Sequence, residues 1–99
     1  MARGEQVRQI PRKNFQFRDG PADQHQTGQY ALSARNDLLL IHERETGAHQ
    51  HKDAVRSVAC FKAPQPISSV RCHGATAFVG CTGGAVCFLR APFLATGAQ

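Results

Sequence analysis

The chain has 99 residues, a length that accommodates one small domain and excludes a multidomain enzyme. Its hydrophobic fraction is 41%, and its aromatic anchors are six Phe and one Tyr with no Trp, so a core is possible but thin. Twelve Lys and Arg against seven Asp and Glu give a formal charge of +5, unevenly placed: every acid lies at or before Asp53, and four bases follow without one.

Residues 1–28 hold Arg3, Arg8, Arg12, Lys13 and Arg18, together with Pro11, the turn signal Asp19-Gly20-Pro21 and the polar run ADQHQTGQ. Val7, Ile10, Phe15 and Phe17 are the sizeable apolar groups there, so this part reads as a basic, largely disordered N-terminal segment. Phe15 and Phe17 stand two apart in NFQFR, which leaves room for one short strand. No apolar run of signal-peptide length follows the first bases, and the default compartment is cytoplasmic and reducing.

From Gln29 the texture changes to short apolar runs separated by turn residues about every ten positions, the pattern of an all-β antiparallel meander. Five to six short strands are expected: QYALSA (29–34), LLLIHE (38–43), AVRSVACF (54–61), ISSVRC (67–72), TAFVGC (76–81) and AVCFLRA (85–91). The intervening Gly, Asn, Asp and Pro residues supply positive φ or remove a ladder donor. The β unit is expected over 29–93, with a flexible tail at 94–99.

An internal repeat organises this unit. At an offset of 47 residues, YALSARNDLLLIHE (30–43) overlies AFVGCTGGAVCFLR (77–90), with Leu32 on Val79, Leu39 on Val86, Ile41 on Phe88, and Asn36-Asp37 on Gly83-Gly84. Each copy reads as an apolar hairpin around a tight turn. The expected strand core is Leu32, Leu39, Ile41, Val58, Val70, Val79, Val86 and Phe88, and the expected turn residues are Asn36, Asp37, Gly83 and Gly84.

GCTGGAVCFLR (80–90) resembles the hairpin between the second and third strands of a WD-repeat blade, and SARNDLLLIHERETG (33–47) resembles the same hairpin with the turn that follows it. HKDAVRSVACF (51–61) and PISSVRCHG (66–74) are similar to the Ser-Val strand segments of such blades. The resemblance spans about 65 of the 99 residues and is nearest to the degenerate C-terminal blades of NACHT and WD-repeat proteins. The family's Trp-Asp pair is His42-Glu43 in the first copy and Leu89-Arg90 in the second, and His73-Gly74 reverses its Gly-His pair. The resemblance implies a partial β-propeller of about one and a half blades, acting as a protein-binding scaffold module without enzymatic activity or cofactor. It also implies that the outer strand beyond the last hairpin is missing from this chain, and that folding needs further blades or another chain.

Other chemistry fits these residues less well. His42, Glu43, His49 and His51 could form a metal cluster, but a solvated hairpin turn explains them better, and the cysteines (Cys60, Cys72, Cys81, Cys87) have no zinc-site spacing. They read as reduced core residues. Cys72 and His73 are adjacent, which on a strand points them to opposite faces and argues against a nucleophile and base. Gly80, Gly83 and Gly84 lack the Lys-Ser or Lys-Thr of a phosphate loop. Phe15 and Phe17 among Lys13 and Arg18 could contact nucleic acid, yet Glu5, Asp19 and Asp23 dilute that field. An alternative of another class is a small single-pass membrane protein with 74–89 inserted, since that run lacks charge and carries Gly80 and Gly84 at helix-packing spacing. Against it, the run is short and poor in bulky groups. A truncated product without independent function is the third reading.

Overall fold

The computed structural model describes residues 2–13, 17–45 and 54–96. The fold is all-β, as the turn spacing predicts. Among the described residues there are nine strands and one short helix: β1 Ala2–Gln6, β2 Arg8–Lys13, β3 Ala22–Gln24, β4 Tyr30–Arg35, β5 Leu38–Glu45, β6 Ala54–Lys62, β7 Ile67–His73, β8 Thr76–Cys81, β9 Val86–Arg90 and α1 Phe93–Thr96. The six strands expected from Gln29 onward are all present, within two residues of their expected ends.

Two sheets form. The first runs β2-β6-β5-β4-β3, antiparallel throughout, and the second is the antiparallel meander β7-β8-β9 with β1 added at its edge. β1 lies parallel to β9, pairing Ala2 with Val86 and Gln6 with Arg90. Segment 1–28, read from its composition as largely disordered, therefore contributes three strands. Composition misses them because β1 and β2 are edge strands held by backbone hydrogen bonds, which any sequence can make. Pro11 lies in β2, whose register against β6 shifts between Gln9 and Lys13, and an edge tolerates that lost donor. The β9 edge expected to want an outer strand is occupied by β1. The strand considered around Phe15 lies partly outside the described residues, as do His49 and His51.

The core lies between the sheets. Leu32, Leu39, Ile41, Ala59 and Phe61 of the first sheet belong to one buried cluster with Ile67, Val70, Ala77, Val79, Cys87 and Leu89 of the second. Leu94 of α1 joins that cluster, and Phe93 meets Tyr30 edge to face at 5.3 Å. Residues 93–96, read as the end of the β unit and the start of a flexible tail, instead form a helical turn closing the core. Val58 is only partly buried, because a bulge between Ile41 and His42 leaves it as the extra residue opposite them.

Val86 and Phe88 are corrections. In β9 it is Cys87 and Leu89 that point inward, while Val86 and Phe88 are 38% and 39% exposed. The cause is loop length. The first hairpin pairs Arg35 with Leu38 across the two-residue loop Asn36-Asp37, with Asn36 at φ 54. The second pairs Gly80 with Val86 and bonds Cys81 N–H to Ala85 O, leaving the three-residue loop Thr82-Gly83-Gly84 with Gly84 at φ 97. Leu32 pairs with Ile41 and its counterpart Val79 pairs with Cys87, so the true offset of the second strands is 46 and not 47, and a one-residue slip exchanges the two faces. Residues 74–89, taken in the membrane alternative as one inserted helix, form a turn, strand β8, this loop and part of β9. Among the described residues no helix is long and apolar enough to cross a membrane.

Candidate functional site

Sequence-derived turn residues converge at one end of the molecule, around the linker that joins the sheets. Ala63 N–H donates to Asp37 O at 2.7 Å and Ile67 N–H to Asn36 O at 2.6 Å, so the first turn fastens both ends of the linker. Thr82 N–H donates to Pro66 O at 2.9 Å, Ala85 N–H reaches Gln65 Oε1 at 3.4 Å, and Gly83 packs against the Gln65 side chain. Asn36 and Asp37 on one side and Thr82, Gly83 and Ala85 on the other thus hold the two hairpins to the same linker.

The opposite end is built by residues that the sequence reading left in a polar run. His25 is buried after β3; its Nε2 faces Gly74 O at 2.8 Å, and because a carbonyl only accepts, the proton sits on Nε2. Nδ1 then accepts from Thr27 N–H at 3.2 Å and from the Thr27 hydroxyl at 3.0 Å. Gly74 N–H reaches Gln26 Oε1 at 3.4 Å. Two residues earlier, Asp23 Oδ2 accepts from Cys72 N–H at 2.9 Å and from the Cys72 thiol at 3.5 Å. The first strands of the two meanders, β3 and β7, thus meet through a polar seam. The only sequence sign of it was the alternation of Asp23 and His25 ahead of a positive-φ glycine, Gly28.

Burial, and then the neighbouring Asp23 carboxylate, push the Cys72 thiol up to about 12. At neutral pH it is a protonated hydrogen-bond donor and not a nucleophile. Cys60 is half-buried, Cys81 and Cys87 are buried, and all four cysteines are free thiols.

On the outer side of the first sheet lies an open pocket of about 580 Å³ lined by Phe17, Arg18, Ala22, Asp23, Gln24, Ala31, Leu32, Ser33 and His42. Ser33 and His42 come from adjacent strands, and Ser33 Oγ lies 2.5 Å from His42 Nε2. That pairing has the chemistry of a nucleophile and a base. The hydroxyl also accepts Phe17 N–H at 3.2 Å, however, and both side chains are buried, so the pair is engaged within the fold. Phe17 begins a strap laid over this face. Arg35 stacks over its ring at 5.6 Å and donates to both Asp19 oxygens at 3.0 and 3.2 Å, and Ala34 N–H donates to Pro21 O at 2.9 Å. Gly20, at φ 100, passes so close that a Cβ would lie 2.6 Å from Ala34 O.

The outer face of the second sheet is different in kind. Phe78 pairs with Phe88 across β8 and β9, their rings edge to face at 5.5 Å, and Phe78 also pairs with Arg71 of β7. Phe78, Val86 and Phe88 are the three large apolar side chains exposed among the described residues. No group of three His, Cys, Asp or Glu close enough to hold a metal ion occurs among those residues. No known protein family matches the chain, and neither does any curated protein or solved structure.

Proposed function

We propose that the chain is a non-enzymatic protein-interaction module, a WD-repeat-like partial propeller that binds its partner through the outer face of the second sheet. The observation that carries this reading is the contiguous exposure of Phe78, Val86 and Phe88 on that face. Three large apolar groups at the centre of a sheet are a costly way to meet water and a common way to meet a partner. The blade-like part of the reading is supported by two successive meanders whose first strands, β3 and β7, lie against each other, as neighbouring blades do. The engaged state of Ser33 and His42 favours binding over turnover.

The test is site-specific crosslinking in cells. A photoreactive residue at position 88, compared with one at the exposed Lys62, should capture a distinct protein. Once purified, that protein should bind the Phe78→Ser/Phe88→Ser variant about tenfold or more weakly than wild type. Capture only from position 62, or hydrolysis of an activated ester that disappears in Ser33→Ala, would overturn the proposal.

A further inference from the structure

The outer face of the second sheet can be read position by position from its register. Arg71, Phe78, Phe88 and Gly4 form one row across β7, β8, β9 and β1. His73, Thr76, Arg90 and Gln6 form the next row toward one end of the sheet, and Ser69, Gly80, Val86 and Ala2 form the row toward the other. Across β7, β8 and β9 each row shares a side because paired residues in a ladder point the same way and positions two apart repeat it. Arg71, His73, Phe78, Val86, Phe88 and Arg90 are all exposed. No position in the three rows is Asp or Glu, and residues 54–99 contain neither.

The face thus combines an aromatic centre with cations on one side and no compensating carboxylate. A basic or neutral partner would leave Arg71 and Arg90 facing nothing of opposite sign. A nucleic acid would find two guanidiniums, far fewer than the phosphate contacts from which polyanion affinity is built, and two rings that turn edge to face and so partly cover each other as stacking surfaces. An acidic peptide fits both features at once: an apolar side chain rests on the Phe78–Phe88 pair while a neighbouring carboxylate reaches each arginine, which binds it through paired donors.

We infer that the outer face of β7, β8 and β9 docks an acidic protein segment, with Phe78 and Phe88 as the apolar anchor and Arg71 and Arg90 as the carboxylate clamps. This inference rests on the interaction-module reading and narrows it to one class of partner. Electrostatic attraction of this kind sets the encounter rate and selects against basic competitors, while the aromatic pair controls how long the complex lasts.

The experiment uses the intact chain and three fluorescent probes: a short peptide alternating Glu and Leu, its Lys-for-Glu counterpart, and a short oligothymidylate. Anisotropy gives the affinities, and peptide-level hydrogen exchange maps the footprint. The Glu peptide should bind, slow exchange over 76–80 and 86–90, and weaken as salt rises. Binding should fall about tenfold in Arg71→Glu/Arg90→Glu and by a similar factor in Phe88→Ser. Both variants change exposed positions, and unchanged exchange protection at Leu39 and Ile41 certifies that they remain folded. Tighter binding of the oligonucleotide on the same strands would overturn the inference in favour of a nucleic acid. Equal binding of the Lys peptide, a footprint elsewhere, no binding of the Glu peptide, or protection of this face that grows with protein concentration without any probe would each overturn it too. If the Glu peptide fails while position 88 still crosslinks to a cellular protein, the interaction module stands and only the acidic character of its partner is lost.

Discussion

The hairpins 30–45 and 76–90 begin from nearly the same pattern and end in different environments. In the first, both faces of β4 and β5 are largely covered: Leu32, Leu39 and Ile41 face the other sheet, while Ser33, Leu40 and His42 lie buried on the far side. In the second, one face enters the core and the other carries Phe78, Val86 and Phe88 to the surface. One loop residue and one strap separate the two outcomes. The three-residue loop around Gly84 turns Cys87 and Leu89 inward in place of Val86 and Phe88, and the Phe17–Pro21 strap lies over the first hairpin where nothing among the described residues lies over the second. Repetition in sequence therefore sets the kind of element, while loop length and neighbours decide which face does what.

The sharpest way to break this comparison is to delete Ala85, which brings Val86 opposite Cys81 across the same three-residue loop. The slip should turn Cys87 and Leu89 outward and cost more than about 4 kcal/mol, enough to abolish exchange protection over 76–90. Unchanged protection would mean that the register across this loop does not set the facing. Alanine at matched positions comes next. Ile41→Ala should lower stability by about 2–5 kcal/mol, whereas Phe88→Ala, its partner at the 47-residue offset, should cost under about 1 kcal/mol in a urea titration. Similar losses at both would contradict the different burial.

Gly20→Ala tests the strap. Its φ of 100 and the 2.6 Å approach to Ala34 O leave no room for a methyl group, and a loss of about 2–3 kcal/mol is expected, with faster exchange at 30–35. Asp23→Ala should cost about 1–3 kcal/mol by stranding Cys72 N–H at the seam between the sheets.

The smallest effect is on pH dependence. Burial, and then Asp23, push the folded Cys72 thiol up to about 12 from its ordinary 9.0, so between these values the folded state holds a proton that the unfolded state has already released. Stability from this group is complete below about pH 9 and declines as pH rises toward 12. The stability difference between wild type and Cys72→Ala should therefore narrow over that window, and a difference that stays constant would count against the buried, Asp23-bound thiol.

The legible part of this molecule was the stretch from Gln29 onward. Strands 38–45, 67–73 and 76–81 were visible because short apolar runs ended at Asn, Asp, Pro and Gly residues with local reasons to turn. Leu32, Leu39, Ile41, Val70 and Val79 were read as core and are buried. The polar seam was not legible. Asp23 and His25 stand in a run that looks solvated, and their partners Cys72 N–H and Gly74 O are backbone groups 49 residues away, with no side-chain signature to announce them.

By itself the sequence determined that the chain would be β, where most turns would fall, and which apolar residues of the first hairpin would seek a core, because hydrophobic alternation and turn chemistry act over a few residues. Tertiary structure alone decided that β1 and β2 would find edges, that Val86 and Phe88 would face outward and that Ser33 and His42 would be buried beside a strap. Those outcomes depend on backbone pairing, on a single residue of register and on contacts between distant segments, none of which leaves a trace in local composition.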